Sequence, residues 1–247
     1  MIAAAKAPRA TPPTINDRIA APDWQRLSAH LDRDGYAVIP SLLAADECCA
    51  LGALYDSADL FRSHVVMARH GFGQGEYKYF AYPLPEPVAA LRTAFYPRLA
   101  GLANRWNAAL GVTQHYPDEH AAYLDRCHRA GQVKPTPLLL RYRDGDYNRL
   151  HQDLYGEQVF PLQATILLSA PGKDFSGGEF VLVEQRPRMQ SRAEIVPLQQ
   201  GDGVIFAVHH RPGRGARGFY RVNLRHGVSR LRSGQRLTLG IIFHDAA

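Results

Sequence analysis

The sequence predicts an α+β protein that is mainly β, in which N-terminal helices pack against a sandwich or barrel of two sheets. The 247 residues are 46% hydrophobic and 21% charged, the proportions of a globular chain long enough to bury a sizeable core. Helical periodicity is confined to the first half of the chain. From Pro135 onward, short apolar runs alternate with Gly-containing turns, which is typical of a β-sandwich or barrel.

Composition and hydrophobic periodicity divide the chain into three parts. Residues 1–22 are rich in Ala and Pro and lack periodicity, so we expect a disordered tail. Residues 23–134 form the helix-rich N-terminal part of the domain, and residues 135–247 form its β core. We find no internal repeat and no Gly-rich phosphate loop.

Apolar spacing and turn residues predict the individual elements. A helix begins after the capping residue Asp23, because Trp24, Leu27 and Leu31 share one face. Further helices are predicted over residues 46–60, 88–110 and 121–130. A strand over 36–40 and a Gly-punctuated loop over 71–80 lie between them. In the second half, strands are predicted over 138–142, 165–168, 179–183, 204–208 and 236–243.

The chain carries a net charge of +6, from 29 Lys and Arg against 23 Asp and Glu. This surplus favours anionic partners such as nucleic acid, an acidic lipid surface or a carboxylate substrate, although a compositional bias without any partner gives the same charge. No acidic residue lies between Asp202 and Asp245. That interval contains eight arginines: Arg211, Arg214, Arg217, Arg221, Arg225, Arg230, Arg232 and Arg236.

The three cysteines, Cys48, Cys49 and Cys127, lack the Cys-x-x-Cys spacing of a thiolate zinc site and are too few and odd in number for a disulfide framework. No apolar stretch approaches the roughly 18 residues of a membrane span, and the first residues lack a signal-peptide core. We therefore predict a cytoplasmic protein that does not contact the membrane.

A candidate metal site begins with His151-x-Asp153. On an extended segment, residues two apart point to the same face, so an imidazole and a carboxylate project together. His226, late in the β region, is the expected third ligand, with His209 and His210 as the alternatives. Two imidazoles and one carboxylate form the facial triad of non-haem Fe(II) oxygenases, which leaves coordination positions open.

A candidate anion anchor lies ten residues after His226. Arg236 follows the Ser233-Gly234 turn, and Thr238 shares its face. We expect this turn to join two neighbouring strands, so that His226 and Arg236 both point inward. An arginine beside a hydroxyl can bind one end of a dicarboxylate through a bidentate pair.

The order of these motifs resembles the Fe(II)- and 2-oxoglutarate-dependent dioxygenases, and in particular their prolyl-hydroxylase-like branch. The matching positions are Tyr142, Gly145, His151-x-Asp153, Gly177-Gly178-Glu179, Gly201-Asp202, His226-Gly227-Val228 and Gly234-x-Arg236. The segment at residues 34–40, followed by a predicted helix with an aspartate cap, is similar to a common opening of that superfamily. Residues 75–80 and 185–192 resemble a bacterial subfamily associated with oxidative demethylation of damaged DNA. The resemblance covers residues 24–245.

This resemblance implies a double-stranded β-helix core of the jelly-roll or cupin-like kind over residues 135–247. It implies Fe(II), 2-oxoglutarate and O₂ as cofactor and co-substrates, with succinate and CO₂ as products. Carried over to this sequence, His151, Asp153 and His226 are the iron ligands. Arg236 binds the C5 carboxylate of 2-oxoglutarate, with a hydroxyl donated by Thr238 or Tyr142.

One spacing departs from the family pattern, because Phe206 precedes His226 by twenty residues instead of a few. The inserted residues 211–218 are expected to form a basic loop near the mouth of the site. The sequence leaves the substrate open between a small molecule and a nucleic acid, and it leaves the oligomeric state open.

Three functions remain as alternatives to hydroxylation of an unidentified substrate. One is an oxidative demethylase acting on alkylated nucleic acid. The second is a non-catalytic cupin-type protein that binds a small anion. The third is a nucleic-acid-binding module whose active feature is the basic interval 211–232.

Overall fold

The computed structural model describes residues 13–154 and 156–247. In these residues the α-helices are α1 (Ile15–Ala20), α2 (Trp24–Asp34), α3 (Ala45–Ala53), α4 (Glu86–Ala109) and α5 (His120–Arg129). Short 3₁₀ turns lie at Leu54–Asp56, Ala58–Leu60 and Met67–His70. No helix of the described ranges has both the length and the apolar character that crossing a bilayer requires.

Fifteen strands in the described residues form two large sheets and one small one. In spatial order, the seven-stranded sheet contains β1 (Tyr36–Ile39), β11 (Gly203–Ala207), β7 (Leu162–Leu167), β15 (Arg236–Ile241), β5 (Leu138–Tyr142), β4 (Glu76–Phe80) and β2 (Phe61–Val66). The six-stranded sheet contains β10 (Arg192–Val196), β9 (Phe180–Gln185), β13 (Gly218–Val228), β6 (Tyr147–His151) and β3 (Gly73–Gln74), with β12 (His210–Gly215) paired to β13. The pair β14 (Leu231–Gly234) and β8 (Phe175–Gly177) stands apart.

The helices form where the sequence predicts them, for local reasons. The Asp23 carboxylate caps α2 by accepting hydrogen bonds from the backbone N–H groups of Gln25 and Arg26, each 3.0 Å long. Gly35 ends the same helix in the left-handed conformation, with a φ of 81° that favours glycine. The long helix α4 buries Phe95 and Tyr96 fully against the core.

Two apolar clusters hold the layers together. The larger cluster packs the helices onto the seven-stranded sheet and contains residues such as Phe95 and Leu239. The smaller one includes Phe180 and Phe206, whose ring centroids lie 5.0 Å apart. Phe180 belongs to the six-stranded sheet and Phe206 to the seven-stranded sheet. The smaller cluster therefore joins the inner faces of the two sheets.

The N-terminal part of the chain is more ordered than the sequence predicts. The helix α1 lies inside the segment 1–22 that we expected to be a tail, because Thr14 and Asp17 form a capping box and Ile19 is buried. The predicted tail residues 1–12 lie outside the described residues. The expected loop over 71–80 is also wrong in part, since β3 and β4 occupy most of it.

The connection between His226 and Arg236 differs from the predicted pair of neighbouring strands. His226 lies on β13 of the six-stranded sheet, whereas Arg236 lies on β15 of the seven-stranded sheet. Their strands are joined through β14, which pairs with β8. The two side chains therefore come from opposite sheets of the sandwich.

The inserted residues after Phe206 form a hairpin and not a loop. Strand β12 pairs with the first half of β13, with Arg211 opposite Val222 and Arg214 opposite Phe219. This hairpin accounts for the long spacing between Phe206 and His226, because the chain runs out along β12 and returns along β13.

Candidate active site

A cavity of about 370 Å³ opens between the two large sheets and is lined by side chains from both. The six-stranded sheet contributes His151 and His226, which lie directly opposite each other on β6 and β13. The seven-stranded sheet contributes Arg236 and Thr238 from β15, and Asp153 follows the end of β6. The structure therefore brings together all the site residues that the sequence predicts, including Tyr142.

His151, Asp153 and His226 form a compact cluster of potential metal ligands. One ligand atom from each lies within 4.8 Å of the others. Nε2 of His226 is 3.2 Å from one Asp153 carboxylate oxygen, and Nε2 of His151 is 3.5 Å from the other. The two imidazole rings lie 4.2 Å apart between centroids.

The electrostatics of the cluster suit a bound cation. Burial favours protonation of Asp153, yet hydrogen bonds from the two histidines outweigh it and hold the carboxyl pKa well below its usual range. Burial and the neighbouring His151 lower the pKa of His226, which favours a neutral imidazole. A carboxylate beside a neutral imidazole is a donor set with lone pairs available for a metal.

The backbone fixes the tautomer of His151. Its Nδ1 lies 2.7 Å from the carbonyl oxygen of Arg149, which can only accept a hydrogen bond, so Nδ1 carries the proton. Nε2 is then the nitrogen that faces Asp153 and is left to bind a metal. A carbonyl that orients a histidine in this way is typical of metal ligands in proteins.

The donor set therefore fits a divalent transition metal. Two imidazole nitrogens and one carboxylate are the ligands that non-haem Fe(II) sites use. The buried Nδ1 of His226 and Oε1 of Gln163 make no hydrogen bond with a described residue. Buried polar atoms normally have a partner, so these two indicate that the site has room for a further polar group.

Gln163 is a site residue that the sequence analysis did not identify. Its side-chain amide donates a 2.9 Å hydrogen bond to the Asp153 carboxylate and lies 3.3 Å from Nε2 of His226. A glutamine within the otherwise largely apolar, fully buried strand β7 was the available signal. Phe206 also contacts the centre, with its ring centroid 4.7 Å from that of His226.

Arg236 is buried in the same cavity without a carboxylate partner. Only 1% of its surface is exposed, and no acidic side chain of the described ranges lies within ion-pairing distance. Its Nη1 donates a 2.5 Å hydrogen bond to the Thr238 hydroxyl, while its Nε has no hydrogen-bond partner among the described residues. Burial lowers the pKa of Arg236 to about 10, so it remains a cation at neutral pH.

Tyr142 lies beside Arg236 as its pairing partner across β5 and β15. The guanidinium carbon is 5.7 Å from the centre of the Tyr142 ring. The tyrosine hydroxyl accepts a 3.3 Å hydrogen bond from Asn148, and burial raises its pKa, so it stays protonated. Thr238 and Tyr142 thus both present hydroxyl groups near the guanidinium.

His209 and His210, the alternative ligands, do not join the cluster. Their rings lie against each other, 3.7 Å apart between centroids, and the metal-ligand cluster of the described residues includes His226 in their place. The basic hairpin also lies away from the cavity mouth that we expected it to flank. Arg214 pairs opposite Phe219, seven residues before His226, which is about 23 Å along a strand.

Aromatic and apolar side chains line the remainder of the cavity. Tyr77 and Tyr79 pack edge to face with ring centroids 5.4 Å apart. At the rim, Phe72 and Leu150 are 48% and 44% exposed, and Arg149 stands beside them. The part of the cavity away from the polar centre therefore suits an apolar or aromatic group.

Comparison with known proteins identifies the family. Residues 75–246 match the model of a family described as an oxygenase catalysing oxidative methylation of damaged DNA. An uncharacterized Mycobacterium tuberculosis protein, Rv2227, is 50% identical over 168 residues, which cover 68% of this chain and 72% of that protein.

Solved structures share the fold at low sequence identity. An oxidoreductase of the 2-oxoglutarate–Fe(II) oxygenase family from Burkholderia pseudomallei is 17% identical, with a TM-score of 0.54 over 92% of this chain and 94% of that one. A prolyl-4-hydroxylase from Pseudomonas putida is 15% identical, with a TM-score of 0.50 over 88% and 96% of the two chains. These similarities confirm the predicted double-stranded β-helix fold.

Proposed function

The chain belongs to this family of oxygenases, and from that premise we propose that it is an Fe(II)- and 2-oxoglutarate-dependent dioxygenase. The observation that carries the proposal is a single cavity lined by the cluster of His151, Asp153 and His226 and by the unpaired cation Arg236. A non-catalytic cupin-type binding protein, one of the alternatives left by the sequence, does not agree with membership of an oxygenase family.

In this proposal His151, Asp153 and His226 hold the iron. The Arg149 carbonyl orients His151, and Gln163 orients the Asp153 carboxylate by its hydrogen bond. When bound, iron supplies the activation of O₂ that is coupled to decarboxylation of 2-oxoglutarate and to oxidation of a substrate C–H bond.

Arg236 binds the C5 carboxylate of 2-oxoglutarate through its guanidinium group. A buried arginine without an acidic partner is a favourable site for a carboxylate, because the ion pair relieves an uncompensated charge. Thr238 and Tyr142 supply hydroxyl groups beside it. The apolar side chains around the cavity exclude water, which strengthens this ion pair.

The substrate enters past Phe72 and Leu150 and places its reacting carbon between Tyr77, Tyr79 and the metal centre. The products are the oxidised substrate, succinate and CO₂. A hydroxylated carbon attached to nitrogen is released as an aldehyde, so an N-methyl substrate is demethylated. A small molecule with an apolar or aromatic group fits these walls.

A second candidate is an oxidative demethylase acting on alkylated nucleic acid. The damaged DNA named in the description of the family and the exposed ring of Phe72 at the rim favour a nucleic-acid substrate, because a base taken out of a strand can stack on an aromatic side chain. We also propose a cytoplasmic location, because three free cysteines are typical of a protein in a reducing compartment.

Anaerobic Fe(II) binding and aerobic succinate formation test the proposal together. The Asp153→Ala variant should lose both, because the only carboxylate of the metal-ligand cluster is removed, while its unfolding midpoint stays close to that of the parent. Asp59→Ala, which removes an exposed carboxylate, is the matched control and should retain both. Stoichiometric Fe(II) binding by Asp153→Ala would overturn the assignment of the site.

A further inference from the structure

A second cavity of about 500 Å³ lies between helices α2 and α4 and the β12–β13 hairpin. Its walls combine arginine side chains with aromatic rings. The arginines are Arg33, Arg105, Arg186, Arg211 and Arg214, and the rings are Trp106, Phe219 and Tyr220. We call this cavity the hairpin pocket.

The hairpin pocket carries an excess of positive charge. Arg186 and Arg211 share the carboxylate of Glu184, so two guanidinium groups face one acid. Arg105 and Arg214 make no ion pair with a residue in the described part of the chain, and both are exposed. They are the cations of the pocket that remain available to an anion.

The walls of the pocket are held in place by buried contacts. The indole N–H of Trp106 donates a 2.6 Å hydrogen bond to the Asp32 carboxylate, the acidic group among the lining residues. Arg211 is 3% exposed and binds both Glu184 and the backbone carbonyl oxygen of Asp32. These contacts tie α2 and α4 to the hairpin, so the pocket is formed before any ligand binds.

One wall of the pocket presents an aromatic ring to solvent. Phe219 is 55% exposed at the hairpin, directly opposite Arg214 on the neighbouring strand. Cations alone suit any anion, but guanidinium groups beside open aromatic surface favour an anion that carries a planar ring.

The hairpin pocket is separate from the candidate active site. None of its lining residues lines the other cavity, and the buried side chains of Val222 and Leu224 lie along β13 between the two. Arg214 is about 23 Å along the strands from His226. A ligand in the pocket therefore does not contact the metal centre directly.

We propose that the hairpin pocket binds a nucleotide, with its phosphate on Arg105 and Arg214 and its base against Phe219. Guanidinium groups match phosphate oxygens in bidentate geometry, and stacking on an aromatic ring accepts any base. The cavity volume is in the range of small-molecule sites. The nucleotide comes either from solution or from a single-stranded nucleic acid, since both present the same phosphate and base.

Binding of three probes to the full-length protein tests this inference. The probes are thymidine 5′-monophosphate, thymidine, and a fluorescein-labelled 12-mer of thymidylate, at 50 and 200 mM NaCl. The Arg105→Ser/Arg214→Ser variant is compared with Arg129→Ser/Arg192→Ser, which removes the same charge from exposed sites outside both cavities.

We expect the parent and the control variant to bind the monophosphate or the 12-mer with an affinity that falls as salt rises. The pocket variant should bind at least about tenfold more weakly and with a flatter salt dependence. Phe219→Ser should also weaken binding while leaving the salt dependence unchanged. Binding of the monophosphate indicates a free nucleotide, and binding of the 12-mer alone indicates a strand.

Three results would overturn the proposal: no salt-dependent binding of either phosphate probe by the parent, equal losses in the two double variants, or equal affinity for thymidine. The inference does not rest on the proposed oxygenase activity. Succinate formation measured without added substrate should be unchanged in the pocket variant, so a failure of one proposal is distinguishable from a failure of the other.

Discussion

Two regions of the molecule each bury one arginine to the same extent, but one arginine is paired with a carboxylate and the other is not. Arg92 and Arg236 are both 1% exposed. Arg92, on α4, donates to the carbonyl oxygen of Ile242 at 2.8 Å, to the Tyr82 hydroxyl at 3.0 Å and to the Asp245 carboxylate at 2.8 Å. Within the described part of the chain, Arg236 has one hydrogen bond, to Thr238, and no carboxylate partner.

This difference indicates that Arg92 stabilises the fold, whereas Arg236 is available to bind a ligand. The Arg92 network is complete, since Asp245 also accepts from Tyr82 and contacts His128, each at 2.9 Å. It fastens the C-terminal residues to helix α4 over a long sequence separation. Arg236 is buried equally deeply, but no acidic side chain of the described residues pairs with it, and it lines a cavity. An incomplete buried cation next to a cavity indicates an anionic ligand.

The largest effect expected from this comparison is on stability at Arg92. Arg92→Met should lower the free energy of unfolding by about 3–5 kcal/mol, because Asp245 is left buried without its cation. Urea denaturation followed by circular dichroism measures this. Arg98→Met, an exposed arginine on the same helix, is the control and should change stability little. A loss below about 1 kcal/mol at Arg92 would mean that the network is not structural.

The matched substitution at Arg236 should act on ligand binding. Arg236→Met should weaken 2-oxoglutarate binding by about 2–4 kcal/mol, roughly 30- to 1,000-fold, because the charge-assisted pair is lost. Anaerobic calorimetry with the Fe(II)-loaded protein measures the affinity. Arg236→Lys should recover part of the loss, since a point charge does not reproduce the planar fork. Unchanged affinity in both variants would show that Arg236 is not the anchor of 2-oxoglutarate.

The same Arg236→Met variant should be more stable than the parent when no 2-oxoglutarate is present. Removing an uncompensated buried charge raises the free energy of unfolding by about 1 kcal/mol or more, opposite in sign to the effect at Arg92. Urea denaturation of the protein without co-substrate checks the sign. A loss of stability in this variant would remove the distinction between the two arginines.

A smaller effect is expected on the pH dependence of stability, through the carboxyl group of Asp245. Burial alone favours protonation of Asp245, but Arg92, His128 and Tyr82 outweigh it and lower its pKa from its ordinary value. A carboxyl with a lowered folded pKa contributes stability that is present above its unfolded pKa and is lost as pH falls through the folded pKa. The stability difference between the parent and Asp245→Asn should therefore shrink below about pH 4.

Denaturation curves at several pH values between 3 and 7 measure this difference. For Asp59→Asn, which changes an exposed carboxylate that makes no ion pair with a described residue, the difference from the parent should stay nearly constant. A difference for Asp245→Asn that does not depend on pH would show that the carboxyl is not held ionised by its neighbours.

The elements that the sequence predicts well are those with a local signal. Helix α2 has a capping residue, an apolar face and a terminal glycine, and α4 has a long periodic apolar stripe. The strands missed include β6 and β12, whose residues are mostly polar or basic and lack alternation. These strands exist because β13 offers them hydrogen-bonding partners. For β6 those partners lie far away in the chain, whereas β12 meets β13 across a tight hairpin turn that its polar and basic residues do not reveal.

The sequence by itself predicted the pair His151-x-Asp153 and the candidate anchor Arg236, because the pair has fixed local geometry and Arg236 lies beside Thr238 on one strand face. The tertiary structure alone decided three other features. Gln163 reaches Asp153 from another strand, the basic residues 211–218 extend away from the cavity as a hairpin, and Arg92 finds Asp245 across 153 positions. Spacing along the chain specifies contacts within one element, whereas contacts between elements depend on how the sheets and helices pack.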